Sequence, residues 1–533
     1  MSKKKKPRKT GATVILLFIL AFTATVRLRL VKMPLERDEG EFAYQARLIL
    51  QGEVPYQSAY NKKLPGVSYM YALGFLVFGD SARSIKLILL VANALAILLL
   101  FALARRLYGP RVALTAAAAY ALLSLSASVL GHAGHATQFM NLFLLAGLYF
   151  LVLKDPPRWG WIFLAGLMLG AAVLMKQHAL LIVPVALLFL TSPHEKTRRG
   201  RLFWLRAVVL GVAAALPYLL LLAMVLSRGL LDRFFFWTIR YASEYQAGRS
   251  LGEILGTFFQ NISLAVGPLW LLWFLGLAGI ILQALSKAAF RERIFPAGFF
   301  LLALLSTAPG FFFRNHYFIA VLPAVAVGAG LAVESFRAWL KNRSGAGTAG
   351  FLTFVALSIV FLAGIIPQSD YLFKKDPVRL SRNLYGLNPF PESPVIGEFL
   401  NKNSGPQDTV AVLGSEAQIY YYSRRRAATG YIYTYGLMDG QPYNRRMQTE
   451  MAAEIENAGP RFFVVVNSRT SWISSPQADQ WIITWINDYT KSRYNLVGIA
   501  DIRMDGTVYR WYGEAASYQP SKKTDLILVF QRK

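Results

Sequence analysis

The densest group of chemically competent side chains lies early, in Glu36-Arg37-Asp38-Glu39-Gly40-Glu41-Phe42. Two cations follow in Asn61-Lys62-Lys63-Leu64-Pro65-Gly66. A carboxylate within hydrogen-bond reach of a hydroxyl can take its proton. A nearby cation can hold the charge of a phosphate. Together these residue types suit the deprotonation of an alcohol beside a lipid-linked phosphate. The same acids also suit the first turn of a helix, with Asp38 as its cap. Spacing alone leaves both roles open.

Three more groups share this ambiguity. His132 and His135 stand three apart in Gly131-His132-Ala133-Gly134-His135. One helical face could present both to a metal, or each could be a hydrogen-bonded structural residue. Lys176-Gln177-His178 joins two apolar runs. It could hold a phosphate, or Lys176 could snorkel from a span end. Arg314-Asn315-His316-Tyr317 interrupts another pair of apolar runs. Arg is suited to bidentate phosphate contact, and Tyr to the aromatic belt of a membrane interface.

The elements that position these groups must be membrane spans. The 533 residues are 55% hydrophobic and only 16% charged, against about 25% charged in soluble domains. Each crossing needs about 20 mostly apolar residues. Spans are expected near 12–31, 82–104, 112–130, 138–153, 159–175, 177–192, 204–226, 263–285, 295–313, 317–335 and 349–367. This makes the chain a polytopic α-helical membrane protein of about 11 transmembrane helices. The shorter apolar run 66–79 reads as an interfacial helix.

The net charge of +28 comes from 57 basic and 29 acidic residues. Lys and Arg concentrate in the head MSKKKKPRK and in turns such as RRLYGPR, KDPPR and HEKTRRGRLFWLR, on alternate sides of the spans. That is a positive-inside signature, not a nucleic-acid face. It puts the N-terminus in the cytoplasm, with the first span as a retained anchor, and the C-terminal region outside. The loops 32–81, 131–137, 175–178, 227–262 and 314–316 then share the outer face, and with them every group named above. The chain has no Cys, which excludes disulfides and thiolate chemistry.

Residues 1–367 form the expected membrane domain, with 32–81 as its first outer loop, and 368–384 a linker. Residues 385–533 read as an extracytoplasmic α/β domain. Strands are expected at DTVAVLGS, RFFVVVNS, YNLVGIADI and DLILVFQR, and helices at EAQIYYYS, MQTEMAAEIENAG and WIITWINDYT.

The order of these features resembles the GT-C-fold, lipid-dependent glycosyltransferases of bacteria, the group of protein O-mannosyltransferases and lipid A aminoarabinose transferases. Asp38-Glu39-Gly40 with Gln45-Ala46-Arg47 matches that family's first-loop acids and Ala-Arg helix. Lys63-Leu64-Pro65-Gly66 matches its Lys-Pro-Pro-Leu motif, with Leu64 in place of the first Pro. The run GVSYMYALGFLVFGDSARSIKLILL, Lys176-Gln177 and the Arg-x-His-Tyr turn at 314–317 also fit. One feature departs: where relatives carry a second acid, HATQFMNLF offers Gln138. That argues against a tightly bound divalent metal.

The resemblance implies transfer of a sugar from a polyprenyl-phosphate donor to a lipid, protein or glycan acceptor, at the outer face of the cytoplasmic (inner) membrane. Asp38 and Glu39 would be the catalytic acids, with Asp38 as general base and inversion at the anomeric carbon. Lys63, Lys176, Arg314 and His316 would hold the donor phosphate. Gln138, Gln177, His135 and Tyr317 would contact substrate. Other classes remain: a flippase for polyprenyl-linked sugars, a polysaccharide polymerase or ligase, or a membrane-anchored scaffold. A flippase needs polar residues along a path through the spans, whereas the charges here cluster at one face. A polymerase is expected to have its key loop late in the chain.

Overall fold

The computed structural model describes residues 9–191, 199–244, 250–520 and 525–533. The basic head 1–8 and the loop residues 194–198 lie outside them. Among the described residues, six helices are long and apolar enough to cross a bilayer: Gly11–Lys32, Ala82–Tyr108, Gly200–Ser227, Leu251–Ala284, Asn315–Ser344 and Ala346–Gln368. Shorter apolar helices include Pro110–Leu125, Ala136–Val152, Trp159–Met175 and Gln177–Phe189. The chain is a multi-pass, mostly helical membrane protein. It divides into two compact units.

The first unit contains residues Met1–Val31, Lys86–Leu221 and Arg249–Lys375. Its centre is the helix Leu322–Ser344, which is buried through its first three turns. The helix Trp270–Ala284 packs along it at Gly276, Gly279 and Gly328, where an added Cβ would overlap the facing backbone. Small residues let helices approach closely where lipid removes the hydrophobic drive to associate. The helix Ala346–Ile365 instead exposes Phe351, Phe354, Ile359 and Leu362, a face suited to lipid.

Arg27 is buried in this unit. It donates to the Asn93 Oδ1 at 3.2 Å and to the carbonyls of Gly131 at 3.0 Å and Ser124 at 3.3 Å. It thereby clamps the turn after Pro110–Leu125 that leads to His132 and His135.

The second unit contains Lys32–Ile85, Leu222–Gly248 and Asp376–Lys533. The first loop is thus packed with the C-terminal segment rather than grouped with the spans. A six-stranded sheet runs in the order β2-β1-β3-β6-β4-β5. Its strands are β1 (Thr409–Leu413), β2 (Arg426–Ala427), β3 (Phe462–Asn467), β4 (Tyr494–Asp501), β5 (Val508–Trp511) and β6 (Leu526–Arg532). β1 is parallel to β2 and β3, with Val410 opposite Phe462, and β3–β6, β6–β4 and β4–β5 are antiparallel.

The parallel strand β1 is apolar and buried after its first residue, Thr409, as expected for a strand covered on both faces. The helix Asn444–Ala458 crosses over to β3 and stops at Gly459, whose φ of 52° is the left-handed cap that glycine favours. Its Met447, Met451 and Ile455 form a core with Leu413, Phe463, Ile482 and Ile486. Tyr60 of the first loop and Trp237 enter the same core.

The seven elements expected in 385–533 are all present. Several regions differ from expectation. The strands β2 and β5 are additional, and the expected span 177–192 is two short 3-10 helices, Gln177–Leu181 and Val183–Phe189, among the described residues. Residues 227–262, expected as loop, contain the helices Leu231–Phe235, Tyr241–Glu244 and Leu251–Val266 among the described residues. The last begins at a Ser250/Glu253 capping box, a local signal readable in sequence. The expected linker carries the helix Pro377–Tyr385, capped by the Asp376 Oδ1, which accepts from the Val378 N–H at 2.9 Å.

Candidate active site

In the second unit the acidic segment forms the helix Arg37–Leu50. Its cap is Glu36, not Asp38. The Glu36 Oε1 accepts from the Glu39 N–H at 2.9 Å, and the Glu39 Oε2 accepts from the Glu36 N–H at 3.3 Å. This reciprocal box occupies two of the four acids. Burial, then the like charges of Asp38 and Glu39, push the Glu36 carboxyl up to about 8.

Asp38 and Glu41 stand three apart and so share a helical face. Lys63 reaches both: its Nζ donates to the Asp38 Oδ1 at 2.8 Å and to the Glu41 Oε2 at 2.6 Å. The Lys63 backbone is pinned on each side. Its N–H donates to the Asn61 Oδ1 at 2.9 Å, and its carbonyl accepts from the Tyr56 hydroxyl at 2.9 Å. Burial works against the Lys63 ammonium, but Asp38 and Glu41 outweigh it and hold the group above the usual lysine range. Burial pushes Glu41 up, with Lys63 opposing.

Exposure separates the acids. The Asp38 side chain keeps 23% of its surface and that of Glu41 only 3%, while Glu36 and Glu39 are buried. Among these acids Asp38 is the one open to solvent. Sequence reasoning overlooked Glu41 as a partner of Lys63, although the i, i+3 spacing to Asp38 was a usable signal.

The first unit gathers most of the other predicted residues into a second group. The Lys176 Nζ lies 3.6 Å from the Tyr317 ring centroid, a close cation–π contact. His178 meets the edge of that ring at 6.0 Å, and His316 lies 4.9 Å from it. His135 stacks on His316 at 4.0 Å and 10°. The His316 carbonyl accepts from the Thr137 hydroxyl at 2.7 Å, tying the turn 315–321 to the start of the helix Ala136–Val152.

Arg314 caps that turn, with its guanidinium 5.2 Å from the Phe312 ring. Gln177, half-buried, opens the turn Gln177–Leu181 after Lys176. Gln138 is buried, and its Nε2 donates to the Ser124 carbonyl at 3.3 Å. His132 departs from its sequence neighbour: its Nδ1 lies 3.3 Å from the Tyr371 hydroxyl. Cations, imidazoles and a phenol in one place can receive a phosphate. The stacked pair His135–His316 offers two of the ligands a divalent cation needs.

A family model described as dolichyl-phosphate-mannose-protein mannosyltransferase matches residues 62–221. Among solved structures, ArnT from Cupriavidus metallidurans bound to undecaprenyl phosphate superposes with a TM-score of 0.59 at 16% identity, covering 98% of each chain. The chain has the GT-C fold. The archaeal oligosaccharyltransferase AglB from Archaeoglobus fulgidus gives a TM-score of 0.54 at 15% identity, covering 96% of this chain and 75% of its own.

Curated relatives with sequence similarity include an undecaprenyl phosphate-alpha-4-amino-4-deoxy-L-arabinose arabinosyl transferase of Pseudomonas aeruginosa (strain UCBPP-PA14). It is 33% identical over 249 residues, or 44% of this chain and 42% of that one. A namesake in Pseudomonas fluorescens (strain Pf0-1) is 26% identical over 344 residues, covering 62% and 58%. The chain spans about two fifths of the length of the P. aeruginosa relative it matches. The resemblance to GT-C proteins of the mannosyltransferase and aminoarabinose transferase group therefore holds.

Proposed function

We propose that this GT-C protein is a glycosyltransferase. It moves a sugar from a polyprenyl-phosphate donor to a hydroxyl acceptor on a lipid, protein or glycan. The named relatives and the fold support the donor class. The observation that carries the residue assignment is the Lys63 bridge. Of the acids in the helix Arg37–Leu50 and its cap, Asp38 alone is both held by that cation and open to solvent.

Asp38 takes the acceptor proton as its oxygen bonds to the anomeric carbon. The bond from that carbon to the phosphate oxygen breaks, and its electron pair leaves with polyprenyl phosphate. Attack opposite the phosphate inverts the anomeric centre. An ammonium has three donors. Two of those on Lys63 meet Asp38 and Glu41, which leaves one for a phosphate oxygen. Lys63 thus holds the Asp38 carboxylate in place and offsets charge on the leaving group.

In the same reading Lys176, Arg314 and His316 contact the donor phosphate, and Gln138, Gln177, His135 and Tyr317 the substrates. Glu39 acts by closing the cap that sets Asp38. About eleven crossings in the inner membrane, with a cytoplasmic N-terminus and an outer C-terminal region, complete the proposal. Incubating purified protein with a panel of polyprenyl-phosphate sugars and measuring polyprenyl phosphate release tests it. Wild type should turn over at least one donor, and Asp38→Asn none at a comparable rate. Equal turnover would remove Asp38 from its role.

A further inference from the structure

We infer that Glu416, acting through Arg37, is a positioning residue that sets the base Asp38; this rests on the reading of Asp38 given above. Arg37 immediately precedes Asp38, and its Cα is therefore about 3.8 Å away across a trans peptide. Its guanidinium is almost fully enclosed in the second unit. It donates to the Glu416 Oε1 at 2.6 Å, the Tyr435 hydroxyl at 2.8 Å and the Asn388 Oδ1 at 3.1 Å. The Phe390 and Tyr435 rings lie 5.4 Å from it.

Glu416 is itself fully buried, at the corner between β1 and the helix Gln418–Ser423. Its second oxygen accepts from the Ser471 hydroxyl. Ser471 is held in turn by Ser415, whose N–H donates to its Oγ at 3.0 Å and whose hydroxyl donates to its carbonyl at 2.7 Å. The Tyr435 hydroxyl donates a hydrogen bond to the Thr470 carbonyl at 2.7 Å. The arginine beside the base is thus fixed by groups from three separate stretches of the C-terminal segment.

The rest of the acidic helix is seated on the same surface. Gly40 lies so close to Gln418 that a Cβ there would overlap its backbone and side chain. The Leu35 N–H donates to the Tyr422 hydroxyl at 3.1 Å, and the Ala427 N–H to the Tyr44 hydroxyl at 2.9 Å. Arg47 donates to the Tyr421 carbonyl at 2.7 Å. These contacts would hold the helix without any ion pair. A buried ion pair is often no more stabilising than apolar residues of the same volume. What it adds is direction: a forked guanidinium between fixed acceptors admits one orientation of the helix start.

Misplacing a catalytic group by about 1 Å can cost on the order of 10²-fold in rate. The test compares wild type, Asp38→Asn, Glu416→Gln, the apolar pair Arg37→Met/Glu416→Leu, and Gly40→Ala, using full-length protein in detergent. Thermal unfolding, kcat and the KM for a polyprenyl-phosphate sugar are measured for each. The expected result for Glu416→Gln is a kcat lower by on the order of 10²-fold with donor KM unchanged. The apolar pair should unfold near the wild-type temperature and still show that kcat loss. Gly40→Ala, which pushes the helix off its seat, should show it too.

Should Glu416→Gln fail to fold, the apolar pair and Gly40→Ala decide. Wild-type kcat in a folded apolar pair, with Asp38→Asn inactive, would overturn the positioning role alone. Full activity in Asp38→Asn would overturn the underlying reading instead.

Discussion

Replacing Lys63 by Met should destabilise the second unit in a pH-dependent way. The ammonium contacts Glu41 at 2.6 Å and Asp38 at 2.8 Å. Asp38 can turn to water, but the Glu41 side chain, 3% exposed, cannot. The cost therefore falls on Glu41. Removing one partner of a buried pair costs about 3–5 kcal/mol. Lys63 keeps 29% of its surface, which places the loss at the lower end, about 3 kcal/mol.

For a compact unit of a few hundred residues that corresponds to a fall in Tm of about 6–12 °C. Burial already raises Glu41, and without Lys63 nothing of comparable strength opposes it. A raised carboxyl is neutral at low pH, so stability is retained below its unfolded value of about 4.3 and lost as pH rises through the folded one. The Tm deficit should thus be small near pH 5 and full near pH 8. Adding Glu41→Gln should recover most of it. Unfolding followed by intrinsic fluorescence across that range measures both. An equal deficit at the two pH values, or no recovery in the double variant, would refute the reasoning.

Other outcomes are equally specific. Asp38→Asn should keep the wild-type Tm within a few degrees while losing about 10²–10⁴ in kcat, read as polyprenyl phosphate release. Glu36→Gln should match wild type near pH 4, where the carboxyl is neutral in the folded and the unfolded chain alike. As pH rises from about 4.3 to about 8 the unfolded carboxyl ionises before the buried one, so the wild type loses stability and the variant becomes the more stable, by an amount that levels off above pH 8; a pH series of Tm checks this. Tyr317→Leu removes the ring that Lys176 faces at 3.6 Å. It should raise the KM for the donor while leaving kcat at saturation within a few-fold. Gly459→Val should lower Tm, by about 1 kcal/mol of stability, because a β-branched residue resists a φ of 52°.

Much of this was legible from the chain alone. Bilayer thickness sets span length, and among the described residues six of the expected apolar runs lie on helices long enough to cross, fewer than the about eleven read from the sequence. Alternation and glycine stops marked β1, β3, β4, β6 and the helix that ends at Gly459. The acidic helix was legible as a helix, but its cap was not: Asp38 and Glu36 are both competent acceptors, and only backbone geometry chose Glu36. β5 was overlooked because Val508–Trp511 is a short edge strand, half-buried throughout. The pairing of Arg37 with Glu416 had no local signal, since 379 residues separate them. Nor could spacing reveal that His135 stacks on His316 while His132 turns to Tyr371.

That separation has a consequence for biogenesis. Ribosomes add roughly 5–20 residues per second. Arg37 therefore waits roughly 20–75 s after its own synthesis before Glu416 exists to receive it. The acidic helix therefore has no seat until the segment that carries Glu416 is made. Its maturation is thereby coupled to synthesis far downstream of its own residues, and a chain interrupted before Glu416 lacks the buried acceptor of Arg37.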